Sequence, residues 1–188
     1  MKRFLLLVVG LLCAVTMFAK DDVSLEQGSV KELKGSKAKV FVKWDYTNST
    51  IEKKAVGEFL KEKGEEWIRD YDKELKVAEA AFLAAVDDEA GKHITVMIDS
   101  ESECEYVMVI KVSNFNYGNT QTMFMVGHGA GDARLWGKVE IYRKGESEPM
   151  AVIDVDGVHA GGFGNEMRRA TCYGQLGLSV GEIIKKGK

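Results

Sequence analysis

Proline is nearly missing from this sequence. The single proline, Pro149, excludes proline-rich linkers and stiff extended spacers. Cysteine is scarce too, with three in all. Cys104 and Cys172 are too few and too far apart for a disulfide scaffold or a structural zinc site. They leave two readings open: one bridge, or two buried thiols. The three histidines include no His-x-x-x-His or His-Glu-x-x-His spacing, so no zinc-protease motif is present. There is no Gly-Lys-Ser/Thr phosphate loop and no Gly-x-Ser-x-Gly elbow. Positive charge is not in excess. The 26 Lys and Arg face 29 Asp and Glu, a net charge of −3, which argues against nucleic acid, whose phosphates demand a concentrated basic surface. No apolar run reaches the roughly 20 residues of a membrane-spanning helix.

The longest apolar run is nevertheless informative. Met1-Lys2-Arg3 is a short basic start, Phe4 to Ala14 is uninterruptedly apolar, and the first acids are Asp21 and Asp22. That is the pattern of a cleaved secretory signal peptide, with cleavage expected after Ala19. Cys13 follows Leu12, where a lipobox needs a small residue, so it reads as part of the apolar run. Residues 1–19 are then signal peptide, and residues 20–188 form a single domain in the periplasm or outside the cell. Loss of Lys2 and Arg3 takes the net charge from −3 to −5.

Along the domain, Val23–Leu33 reads as a weak strand broken by Gly28. Ala38–Tyr46 alternates as a firmer strand. Ser49 and Glu52 have capping-box spacing, so a helix is expected from there, with Ile51, Ala55, Val56, Phe59 and Leu60 as one stripe. Gly64 breaks or bends it. A second stripe runs from Trp67 through Leu75 and Phe82 to Val86, stopped at Gly91. Strands follow at Ile94–Ile98, Tyr106–Val112, Arg134–Tyr142 and Met150–Val158, the last two as an antiparallel hairpin around Lys144–Pro149. A final helix spans Asn165–Lys185 despite Gly174, Gly177 and Gly181, each costing about 1 kcal/mol in a helix. These glycines are expected to let that helix approach the sheet closely. The expected fold class is α+β: a mostly antiparallel sheet with helices packed on one face, in the order strand, helix or helices, strands, helix.

Several segments carry a resemblance: Gly28-Ser29-Val30 with Leu33, Trp44-Asp45-Tyr46, Phe59 to Gly64 with Trp67, Gly129 to Ala133, and Gly161-Gly162-Phe163-Gly164. Over nearly all of the mature chain, this arrangement resembles a Gly-rich family of exported domains of unknown function in Gram-negative bacteria. That family is distantly similar to the periplasmic domain of the curli secretion channel. The resemblance implies an envelope location and an α+β fold, and it brings no catalytic residue.

Four places invite chemistry. Gly127 to Asp132 is Gly-rich, yet a strand follows where a phosphate loop needs a helix N-terminus. Asp154-Val155-Asp156-Gly157 matches a fragment of a calcium loop without its remaining ligands. His128, Asp132 and His159, with Asp156, sit in or beside Gly-rich loops, where binding sites often lie; they read either as a converging transition-metal or hydrolytic site or as exposed loop residues. The stretch Asn114–Met125 interleaves Phe115, Tyr117 and Phe124 with amides, as partner surfaces do, or else supplies core side chains from another strand. The combined expectation is a non-enzymatic protein-binding or assembly module of the envelope, needing no cofactor or metal. Its partner would be an envelope protein or a second copy, through Phe115, Tyr117, Phe124, His128, Asp132 and His159. The alternative is a small enzyme or ligand-binding protein with its site around His128 and His159.

Overall fold

Alternating strands and two long amphipathic stripes assemble into one sheet and one helical layer. This is seen in a computed structural model, which describes residues 22–126 and 130–188. The signal-peptide reading and His128 lie outside the described residues. In chain order come β1 (Val23–Gly28), a 3-10 turn (Lys31–Leu33), β2 (Ala38–Asp45), β3 (Thr50–Ile51), β4 (Lys54–Ala55), α1 (Val56–Lys63) and α2 (Glu65–Ala90). Then follow β5 (Ile94–Met97), a 3-10 turn (Glu101–Glu103), β6 (Tyr106–Asn116), α3 (Thr120–Val126), β7 (Ala133–Arg143), β8 (Ala151–Ala160) and α4 (Asn165–Lys186).

The α+β class holds. The strands run in the order β1-β8-β7-β6-β2-β5, with the small β3-β4 hairpin paired to β6. From β1 to β6 the pairing is antiparallel, as expected. From β6 through β2 to β5 it is parallel, so the sheet is mixed. The parallel part arises because α1 and α2 carry the chain over one face between β2 and β5, and a helical crossover returns a strand in the same direction. The core lies between that face and the two long helices. Val40, Val42, Met108, Ile110, Val139, Ile141 and Ile153 meet Ala78, Phe82 and Val86 of α2 and Tyr173, Leu176 and Val180 of α4. Each large apolar side chain buried there stabilises the fold by about 1.5–3 kcal/mol.

Three local expectations are revised. No helix begins at Ser49, because Thr50 and Ile51 pair instead with Asn114 and Phe115 of β6. The helix starts only at Val56. The stretch Met123–Val126 belongs to a short helix, not a strand. The glycines of α4 do permit close approach, but to α2 and not to the sheet. A Cβ on Gly177 would lie 2.5 Å from the Phe82 carbonyl oxygen, and one on Gly181 would lie 2.7 Å from Glu89 Cβ. Gly64 does separate two helices, at φ 103°. Cys104 and Cys172 are free and buried. Among the described residues no helix is long and apolar enough to cross a membrane.

Candidate functional site

The first turn of α4 places Arg168 and Arg169 side by side, and both are buried. A buried guanidinium is costly unless its donors are satisfied, and each finds different partners. Arg168 donates through Nη1 to the carbonyls of Tyr117 and Gly131, and through Nε to the carbonyl of Gly162, 3.1 Å away. It thereby ties three loop segments together at one end of the sheet. Gly118 completes this neck. At φ 70° its backbone lies so near that a Cβ would stand 2.3 Å from the Gly131 carbonyl oxygen. Asn119 N–H donates to that same oxygen at 2.9 Å.

Arg169 sits inside an aromatic box. Its guanidinium lies 4.3 Å from the Phe115 ring centroid and 5.1 Å from those of Tyr71 and Tyr117. Nε pairs with the Glu74 carboxylate of α2, and Nη2 donates to the Tyr117 hydroxyl at 2.6 Å. Tyr117 in turn donates to Glu74. Burial, the largest influence, raises the Tyr117 phenol far above its ordinary range, although the Arg169 charge works against it. The buried Cys172 thiol is pushed up to about 12, chiefly by desolvation. It donates to the Ala133 carbonyl and is thus a packed thiol without nucleophilic character.

These contacts place the sequence-derived candidates. Phe115 and Tyr117 are buried parts of the box and stand behind the surface, because Arg169 and Glu74 recruit them. The Phe124 side chain and His128 lie outside the described part. Asp132 and His159 do come together, with Oδ2 3.2 Å from Nδ1 at the same end of the sheet. Asp22 Oδ2 stands 3.7 Å from the other ring nitrogen. The ring is held between two carboxylates, and among the described residues no hydroxyl or thiol is bonded to it. Among the described residues no group of three or more His, Cys, Asp or Glu could hold a metal ion.

Of what the neck carries, Met125 belongs to the stretch singled out from the sequence, whereas Val126, Phe163 and Met167 do not. From Val112 to Gly131, and again from Gly157 to Asn165, there is no Asp, Glu, Lys or Arg. Above the neck, Met125 is 85 % exposed, Val126 72 % and Phe163 67 %, with Met167 also exposed. The Phe163 backbone N–H donates to the Met167 sulfur, which holds the Met167 side chain beside that loop. The absence of charge over each loop was the available signal.

The sequence matches no protein-family model and no curated protein. Among solved structures, a PelC dodecamer from Paraburkholderia phytofirmans is 12% identical, over 81% of this chain and 96% of that chain, with a TM-score of 0.41. A point-variant PelC dodecamer from the same organism is 9% identical over 84% of this chain and 95% of that chain, with a TM-score of 0.43. A likeness at this level carries no inference about this chain.

Proposed function

We propose that the protein is an exported, non-enzymatic binding module of the cell envelope whose partner-facing end is the pair of uncharged loops above the Arg168 neck. One observation carries this reading. Met125 and Val126, at the end of α3, and Phe163, between β8 and α4, are exposed, and the connections that carry them are tied at their bases by a buried guanidinium. Exposed apolar groups on connections with a tied base suit a partner that covers them. The partner is an envelope protein. The amino-terminal pattern supports export, and the resemblance to exported Gram-negative domains points the same way.

Capture from envelope extract tests the proposal, comparing the chain from Lys20 onward with its Met125→Asp/Phe163→Asp variant. A protein retained by the parent and lost by the variant supports it. Equal capture by both, or no capture by either, counts against it. A second reading, a small-ligand site around His159, draws on the Asp132–His159 bond. Ligand-induced shifts of the His159 ring resonances that Asp132→Asn removes would favour it.

A further inference from the structure

The sheet face turned away from the helices carries a trough centred on Trp136. Two irregularities build it. The register shifts on β6 between Val112 and Asn114, and on β7 at Leu135/Trp136, where Gly157 is the extra residue of β8. Gly157 has φ +84°, and a Cβ there would stand 3.1, 3.3 and 3.4 Å from Nε1, Cε2 and Cζ2 of Trp136. The Nε1–Cζ2 edge of the indole therefore lies against this glycine. Beside it, Gly137 has no room for a side chain, because a Cβ would meet the Lys111 carbonyl oxygen at 2.1 Å.

A cleft of 510 Å³ occupies one side of Trp136, with Asp45, Asn48, Lys111, Lys138, Asp154 and Asp156 around it. A second, of 700 Å³, shares Trp136 and Ser113 with the first and is bordered by Thr50, Glu52, Lys53, Asn114 and Asn116. Together they form one trough passing the ring.

Its polar rim is set in place by the fold. Asn114 Oδ1 accepts from Thr50 Oγ1 at 2.9 Å and from Lys53 N–H at 3.1 Å, which orients the amide and leaves its Nδ2 as a donor. Asn116 Oδ1 accepts from Gly118 N–H at 2.7 Å, with the same result. Asp45 accepts from Thr47 N–H at 2.8 Å, a bond that holds its carboxyl below the usual range and so ionised. Asn48 (φ 62°), Glu52 (φ 51°) and Lys53 (φ 66°) all adopt left-handed backbone. Glu52-Lys53 fills the two central positions of the β3-β4 turn, where Asn-Gly is the unstrained choice. Strained residues of this kind cluster at binding sites.

We propose that this trough binds a saccharide, with the indole stacked on the C–H face of one pyranose ring. A sugar ring has an apolar face and an edge of hydroxyls that both donate and accept. The trough has the matching pattern: an indole that lines both clefts, amide and ammonium donors, and carboxylate acceptors on the same rim. A phosphate ligand would demand an excess of cations, and an acyl chain would demand an enclosed apolar cavity. Continuity of the clefts past the ring fits an oligosaccharide of several units.

The test is a two-dimensional nuclear magnetic resonance titration of the chain from Lys20 onward, following the indole N–H signals of Trp44, Trp67 and Trp136. Cellohexaose, chitohexaose and maltohexaose are added to millimolar concentration. The expected result is a saturable shift of the Trp136 signal with at least one of them, while Trp67 stays fixed. Trp136→Ala should weaken that binding at least tenfold while the chain stays folded by circular dichroism, and Trp136→Phe should retain part of it. A Trp136 signal unmoved by all three sugars overturns the proposal. So does equal sugar binding by Trp136→Ala. The variants leave Met125 and Phe163 untouched, so this test and that of the loop surface fail independently.

Discussion

Two glycines one turn apart on α4 should respond in opposite directions to the same substitution. A Cβ at Gly177 would lie 2.5 Å from the Phe82 carbonyl oxygen and 2.9 Å from Ala85 Cβ, both on α2. Neither neighbour is the free end of a flexible side chain, so the helices must separate. Overpacking of this kind costs about 1–3 kcal/mol, and the gain in helix propensity returns at most about 1 kcal/mol. Gly177→Ala should therefore destabilise by about 1–2 kcal/mol. At Gly174 the nearest atom to an added Cβ is the Ala81 carbonyl oxygen, at 3.9 Å. There the propensity gain stands alone, and Gly174→Ala should stabilise by about 0.5–1 kcal/mol. In a chain of this size each kcal/mol moves the melting temperature by roughly 2–4 °C. Thermal unfolding followed by circular dichroism, with urea titration for the free energies, reads both. Gly177→Ala as stable as the parent, or Gly174→Ala less stable than Gly177→Ala, would refute the close packing of α4 on α2.

The remaining predictions concern charge. Glu74→Leu strands the buried Arg169 guanidinium and should cost about 3–5 kcal/mol in urea unfolding. Adding Arg169→Met should recover part of that loss, with a coupling of about 1–3 kcal/mol in a double-mutant cycle, and strict additivity would contradict the box. Asp132→Asn, which alters a half-exposed pair, should change stability by less than about 1 kcal/mol. Burial holds both Cys172 and Tyr173 protonated up to about 12 in the folded chain, whereas unfolded cysteine and tyrosine ionise near about 8.5 and 10. Above those values the unfolded state has released protons that the folded state retains, so stability falls as pH rises from about 8.5 towards 12. Cys172→Ala should flatten the lower part of that fall in unfolding curves taken across this range.

The periodic parts of the molecule were legible in the sequence. Alternation at Val40 and Val42, and the stripe from Trp67 to Val86, depend on short-range burial patterns that survive into β2 and α2. The Ser49–Glu52 spacing misled because the local capping preference lost to strand pairing with Asn114 and Phe115, about sixty residues on. The aromatic cluster misled for a similar reason. Phe115 and Tyr117 look like surface residues among amides until Arg169, on the last helix, draws them into a box. Nothing local marks an arginine as buried. The trough at Trp136 depends on two register shifts and on glycines from β7 and β8, none of which a period-2 pattern reveals. The Asp132–His159 approach was within reach, because both residues flank glycine-rich connections at one end of adjacent strands.

The central claim is that the neck-supported loops are a docking surface. Site-specific photocrosslinking in living cells, with the reactive side chain at position 125 or 163 and a control at exposed Ile68 on α2, tests it most directly. The account predicts a discrete crosslinked band to one envelope protein from positions 125 and 163, and none from position 68. The same faint ladder from all three positions, or no adduct at 125 and 163, would contradict it.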